Sequence, residues 1–311
     1  MKLAFFNDYQ LGVLEGDQVI DITSLIDQVP TSTWLTWYVR PTPQQIMNKL
    51  ISQFSTLKPA IERIIKESQG IPISEVRIRP PLPRPGKIIC AAVNYLEFGT
   101  RPPSPLEAFI KSSNSVIGDG DTVELPNIPA TIFHHEAELA VVIGKLAKNV
   151  TAAQSMDYVF GYTNFMDVSA RGFAPLGPGR MSFFMIKSSD TFGPMGPCIV
   201  TKDEINDPHD LDVKLWNKGE IRHDFNTSDM SNKIPELIEY CSSITSLEPG
   251  DIISTGTNHQ GIGAIQDGDQ LLMEIKGLGQ LNVNVTDAQK RSWPRGIDQD
   301  MANAMLGDIK P

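Results

Sequence analysis

Residues 133–143 read FHHEAELAVVI, two histidines and two carboxylates at the head of one of the most apolar runs in the chain. In an extended strand the side chains alternate between faces. His134, Glu136, Glu138 and Ala140 then share one side, while His135, Ala137, Leu139, Val141 and Ile143 share the other, apolar one. Carboxylates two residues apart on one face stand about 7 Å apart at Cα, close enough to converge on one cation such as Mg²⁺, Mn²⁺ or Ca²⁺. On a solvated face an isolated Glu-x-Glu needs no such explanation, whereas two unpaired glutamates on a buried face are costly. A third carboxylate strengthens the metal reading. In GYTNFMDVSARG (161–172), Asp167 stands in an apolar-aromatic run and Arg171 follows four residues later. A buried aspartate there requires a cation or a donor, and three carboxylates with several waters suit an octahedral Mg²⁺.

Around this segment the chain is strand-rich. KIICAAVNY (87–95), SVIGDGDTVELP (115–126), GPCIVT (196–201), LDVKLWNKGEIR (211–222), GDIISTGT (250–257) and DQLLMEIKGLGQLNVNV (269–285) read as strands punctuated by Gly-Asp turns. TAAQSMDYVFGY (151–162) and NKIPELIEYCSSIT (232–245) read as helices. Upstream, KLAFF (2–6) and LGVLEGDQVIDIT (11–23) form short strands. A helical stretch over 42–68 follows, with apolar positions at Ile46, Leu50, Ile51, Phe54, Leu57, Ile61, Ile64 and Ile65. From Pro80 to Lys87, five of eight residues are proline or glycine, which breaks any helix and marks a linker. The expected division is a small domain over 1–80, a catalytic domain over 81–290 and a packing tail over 291–311.

The 311 residues carry 41% hydrophobic and 21% charged residues, the balance of a globular protein with a sizeable core. A net charge of −10 with no lysine or arginine run argues against nucleic acid or an anionic membrane as partner. No apolar run approaches the roughly 20 residues of a membrane span, and the N-terminus is no secretory leader, so the expected home is the cytoplasm. Three dispersed cysteines, Cys90, Cys198 and Cys241, read as buried reduced thiols. No G-x-G-x-x-G, P-loop or G-x-S-x-G motif occurs, which removes support for phosphate cradling and for a serine hydrolase.

The blocks FHHEAELAVVIGK (133–145), GYTNFMDVSARG, KSSDTFGPMGPCIVTKDEI (187–205), LEPGDIISTGTNHQGIG (247–263) and GLGQLNVNV (277–285) occur in that order. Together, across Lys87 to Val285, they resemble the fumarylacetoacetate hydrolase superfamily. The resemblance implies a β-rich α+β fold: a layered mixed β-sheet, or β-roll, catalytic domain with a small α/β domain before it, usually as a homodimer. It implies that Glu136, Glu138 and Asp167 bind the metal, that Arg171 and Lys187 face the substrate, and that Thr257 contacts a substrate carboxylate. Lys111 matches a lysine near the site in relatives. The implied activity is metal-dependent cleavage of a C–C bond in a 2,4-dioxo, acylpyruvate-type acid through a metal-stabilised enolate. Decarboxylation or keto–enol isomerisation of a related keto acid passes through the same enolate, and a ligand-binding role without turnover is a further alternative.

The sequence departs from the family at one place. Many members carry histidine and glutamate in an N-Y-x-x-H-x-x-E block that activates water; in VNYLEFGTRPP (93–103) these positions are Phe98 and Arg101. The polar groups able to substitute as a base are His134, His135, Glu97 and His259, with His259 in its glycine-flanked loop preferred. Arg101 can instead hold a distal carboxylate of the substrate. His134 can act as a further ligand or donor, His135 reads as a core histidine, and His209 and His223 read as structural or exposed. PLGPGRMSFF (175–184) reads as a lid.

Overall fold

Ile132–His134 and Ala137–Ile143 are two strands, where the sequence suggested one. The computed structural model describes residues 1–28, 41–173 and 182–306. Of the expected lid over 175–184, residues 175–181 lie outside them, as do the last five residues of the tail, while Phe183 and Phe184 open the helix Phe183–Lys187. Both strands pair antiparallel with one downstream segment. Ala137–Ile143 runs against Val159–Met166, and Ile132–His134 against Ser169–Arg171. Ala137 stands opposite Met166 and His134 opposite Ser169, so the shared register sets Glu136 opposite Asp167 at the interruption. The Asp167 amide donates to the Glu136 carbonyl at 3.0 Å across the gap. A separation of thirty-one residues in sequence thus becomes one cross-strand pair.

Among the described residues the main sheet has twelve strands. Ten of them run in the order Ile71–Pro72, Gln18–Asp21, Gln10–Glu15, Lys2–Phe6, Gly193–Thr201, Val159–Met166, Ala137–Ile143, Ile252–Ser254, Ile88–Ala92 and Glu107–Lys111, while Ile78–Arg79 pairs with Lys2–Phe6 and Val116–Ile117 with Gly193–Thr201 off that path. The N-terminal strands therefore continue the central sheet: Lys2–Phe6 pairs antiparallel with Gly193–Thr201, Leu3 opposite Ile199. A five-stranded sheet of Glu220–Asn226, Asp212–Asn217, Gln270–Ile275, Gly279–Thr286 and Thr122–Glu124 forms a second layer.

The alternation of Ala137–Ile143 explains how the layers stack. Leu139, Val141 and Ile143 pack into the core shared with Val213, Leu215, Leu271 and Met273 of the smaller sheet. Ala140 and Val142 face the opposite core, with Leu3, Phe5, Met47, Leu50, Leu57 and Ile61. Helices Pro43–Ser52 and Phe54–Glu67 supply that second cover. The first opens on a capping box: Thr42 accepts from the Gln45 amide at 3.3 Å and Gln45 Oε1 accepts from the Thr42 amide at 2.9 Å. A strand buried on both faces cannot hide a charge without a partner, and Glu138 sits on it.

Two sequence expectations are corrected. TAAQSMDYVFGY is helical only over Ala152–Ser155, with a 3₁₀ turn at Met156–Tyr158, and then becomes the strand Val159–Met166. Its β-branched and aromatic residues pair between two neighbouring strands, and sheet packing overrides the helical reading. EAFIK (107–111) is an edge strand that the sequence reading left unassigned. Within the tail, Gln299–Met305 form a helix capped by Asp298.

Candidate metal centre and active site

Glu136, Glu138 and Asp167 each offer a carboxylate oxygen within 4.8 Å of the other two. Their exposures of 3%, 2% and 1% exclude a solvated strand face. Each is braced differently. Glu136 Oε1 accepts from Ser169 Oγ at 2.9 Å and from the Arg171 guanidinium, and its Oε2 accepts from Lys187 Nζ at 2.7 Å. Asp167 accepts from Lys187 at 2.6 Å and, through its other oxygen, from Lys111 at 2.7 Å. Glu138 Oε2 accepts from the hydroxyl of Ser254 and from the Gly256 amide at 3.1 Å.

The charges are unequal in comfort. Burial alone would raise Glu136, but Lys187 and Arg171 overcome it and hold that carboxyl well below the usual range. Glu138 goes the other way: burial, then the charges of Asp167 and Glu136, push it up to about 8. Lys187 is held above its ordinary value despite burial, because Asp167 and Glu136 favour its charged form. Lys111, Lys187 and Arg171 pair with Asp167 and Glu136, whereas Glu138 has no cationic partner of its own, and a bound divalent cation would favour its ionised form. The carboxylate set, its buried oxygens and the strained Glu138 fit a hard cation, which takes oxygen ligands of this kind.

The other expected residues divide. Lys111, expected near the site from the resemblance, is 1% exposed and lies directly on Asp167. Thr257 is buried in the loop that follows Gly256. Arg101 gives its Nη1–H to the Met305 carbonyl at 2.7 Å, which ties its loop to the C-terminal helix, and its Nε–H to Ser104 of the same loop at 3.3 Å. His134 meets Asp298 at 2.9 Å and is outside the carboxylate cluster. Burial, then Arg171, lowers it to about 4. His135 Nδ1 contacts His223 Nε2 at 3.1 Å, both rings fully enclosed. His209 Nε2 accepts from the Ile234 amide at 3.2 Å, at the start of helix Ile234–Ile244. His259 is buried and meets Glu97 at 2.7 Å. Ser169 and Ser254, which orient two of the carboxylates, carried no sequence signal that separates them from any other serine.

Residues 87–286 match the fumarylacetoacetate (FAA) hydrolase C-terminal family, and the chain belongs to that family. It is similar to maleylpyruvate hydrolase of Aquipseudomonas alcaligenes, 35% identical over 301 residues that cover 92% of this chain and 99% of that protein. The crystal structure of maleylpyruvate hydrolase from Sphingobium sp. SYK-6 in complex with manganese(II) ion and pyruvate superposes with a TM-score of 0.80. It is 37% identical and covers 92% of this chain and 99% of its own. The 4-hydroxyphenylacetate degradation bifunctional isomerase/decarboxylase of Escherichia coli is 34% identical over 294 residues, covering 84% of this chain and 67% of that protein.

Proposed function

We propose that the protein is a divalent-metal-dependent hydrolase of acylpyruvates, 2,4-dioxo acids of the maleylpyruvate kind. The buried triad of Glu136, Glu138 and Asp167 with Lys187 laid across two of its members carries this reading. Glu136, Glu138 and Asp167 would hold Mg²⁺ or Mn²⁺, which when bound chelates an α-keto acid and polarises its keto oxygen. In the proposed reaction water adds to the C4 carbonyl and the C3–C4 bond breaks. The electron pair passes to C3 and its enolate oxygen, and a proton at C3 completes pyruvate. Lys187 stabilises the negative charge as it develops, in a site where burial strengthens that contact. Arg171 and Lys111 hold the carboxylates in place and add positive charge towards an anionic substrate, and Thr257 meets its carboxylate. His259 accepts the proton of the attacking water. Arg101 is the candidate for a distal carboxylate only if it releases Met305.

Decarboxylation or isomerisation of a keto acid is the second reading, because neither needs an activated water. The buried Glu97–His259 contact favours hydrolysis. With Mg²⁺ and a panel of maleylpyruvate, fumarylpyruvate, acetylpyruvate and oxaloacetate, proton NMR is expected to show pyruvate and the released carboxylic acid from at least one dioxo acid. Carbon dioxide loss from oxaloacetate with no dioxo acid consumed would reverse the order of the two readings.

A homodimer is part of this proposal. Ile110 on the edge strand and Phe184 on helix Phe183–Lys187 are 63% and 73% exposed, apolar side chains on the elements that deliver Lys111 and Lys187. Light scattering is expected to give twice the chain mass, and Ile110→Glu to halve it. The cytoplasm is the proposed compartment, consistent with three free, buried cysteines. No described helix is long and apolar enough to cross a membrane.

A further inference from the structure

Three backbone positions in a row, Glu97, Phe98 and Gly99, have φ of 52°, 59° and 75°. Two successive non-glycine residues in the left-handed region are disfavoured, and such strain persists only where surrounding contacts impose it. Phe98 gains nothing by burial, since it is 58% exposed. The conformation instead turns Glu97 inward, where it is fully buried.

There Glu97 is surrounded by the loop that carries His259. Its Oε1 meets His259 Nδ1 at 2.7 Å, and its Oε2 accepts from the His259 amide at 2.8 Å and from Gln260 Nε2 at 3.1 Å. Asp229 clamps the two loops together: its Oδ2 accepts from the Phe98 amide at 3.1 Å and from Asn258 Nδ2 at 2.8 Å. Gln260 also reaches the Ala302 carbonyl at 3.1 Å, which fixes the loop from the C-terminal helix. Three residues before His259, the Gly256 amide holds Glu138. One short loop therefore joins the carboxylate centre to the histidine.

We infer that Glu97 is the positioning residue of His259, fixing the ring so that Nε2 is the atom that takes the proton from water. The step rests on the hydrolytic reading above, and it follows from what each group can do. An ionised carboxylate only accepts hydrogen bonds, so Nδ1 of His259 carries the proton it donates, and the neutral ring then presents Nε2 as its acceptor. Nε2 has no partner among the described residues. Glu97 has no lysine or arginine ion pair among them either; its one charge partner is this histidine. A proton taken by Nε2 during water attack leaves an imidazolium whose charge Glu97 offsets, and the same proton is available for C3 when the bond has broken.

The test compares the full-length Mg²⁺-loaded enzyme with Glu97→Gln, Glu97→Asp and His259→Gln. Glu97→Gln keeps the shape but offers an amide, and kcat is expected to fall roughly a hundredfold to ten-thousandfold while KM stays near wild type. Glu97→Asp recovers part of that loss. A far-downfield imidazole N–H proton resonance is expected in the wild type and absent from both Glu97→Gln and His259→Gln. Wild-type kcat in Glu97→Gln, or a resonance that survives the change, overturns the inference. So does an equal loss in Glu97→Asp and Glu97→Gln with KM rising in both, the mark of a loop that merely lost an anchor. If the wild type hydrolyses no dioxo acid, the functional reading fails, and the resonance still decides whether Glu97 sets the ring.

Discussion

Replacing Glu138 by Gln is expected to lower Mn²⁺-dependent turnover by about a thousandfold or more. The isosteric amide oxygen still accepts from Ser254 and Gly256, so the strand and its loop keep their contacts. What disappears is the negative charge, and that is the charge the protein holds least easily, with the carboxyl pushed up to about 8. The variant should therefore fold as well as the wild type when both are treated with EDTA. The difference appears on adding metal. A ligand that binds only the native state at a hundred times its Kd stabilises by about 2.7 kcal/mol. That gain should be visible as a rise in the thermal midpoint of the wild type and missing from Glu138→Gln. A variant that keeps both the manganese-induced rise and its turnover would remove Glu138 from the ligand set, and the metal site with it.

Lys187→Met separates chemistry from metal binding. The ammonium lies 2.7 Å from Glu136 and 2.6 Å from Asp167, two groups expected to hold the ion. Without it, roughly a hundredfold to a thousandfold of kcat should be lost, the range for one donor aimed at a developing oxyanion. Manganese affinity, read by titration calorimetry, should hold or rise, because a competing cation has left. The EDTA-treated variant pays for the change in stability: removing one member of a buried ion pair costs about 3–5 kcal/mol. Manganese should restore much of it. Unchanged kcat in Lys187→Met would leave the enolate charge to other groups and end this assignment. Loss of metal binding together with kcat would make the lysine a scaffold for the carboxylates.

Much of this site was legible in the chain because strand periodicity is local. FHHEAELAVVI announced a buried strand carrying carboxylates, and Asp167 announced itself by standing charged among Phe165, Met166 and Val168. That Glu136 meets Asp167 across a broken ladder was not legible, because register is set by pairing over thirty-one residues and by no single segment. Lys111 shows the same limit. A lysine at the end of an apolar edge strand looks exposed until the strand is placed at the sheet's margin with its last side chain turned to Asp167. TAAQSMDYVFGY failed for a related reason: the capping threonine and following alanines start a helix, but tertiary pairing claims the second half. Glu97 was named as one polar group among four. Its left-handed backbone and its pairing with a residue 162 positions away belong to the folded chain alone.

The strand Lys2–Phe6 has a consequence for how such proteins can be recombined. It lies between Gly193–Thr201 and Gln10–Glu15, so the part of the chain outside the family match forms one flank of the sheet and joins the rest along this strand. A graft of residues 87–286 onto an unrelated leader would expose the backbone donors and acceptors of Gly193–Thr201, an invitation to stray β-pairing. Any natural or engineered shuffling at the proline-rich junction has to bring its own closing strand, in register with Ile199.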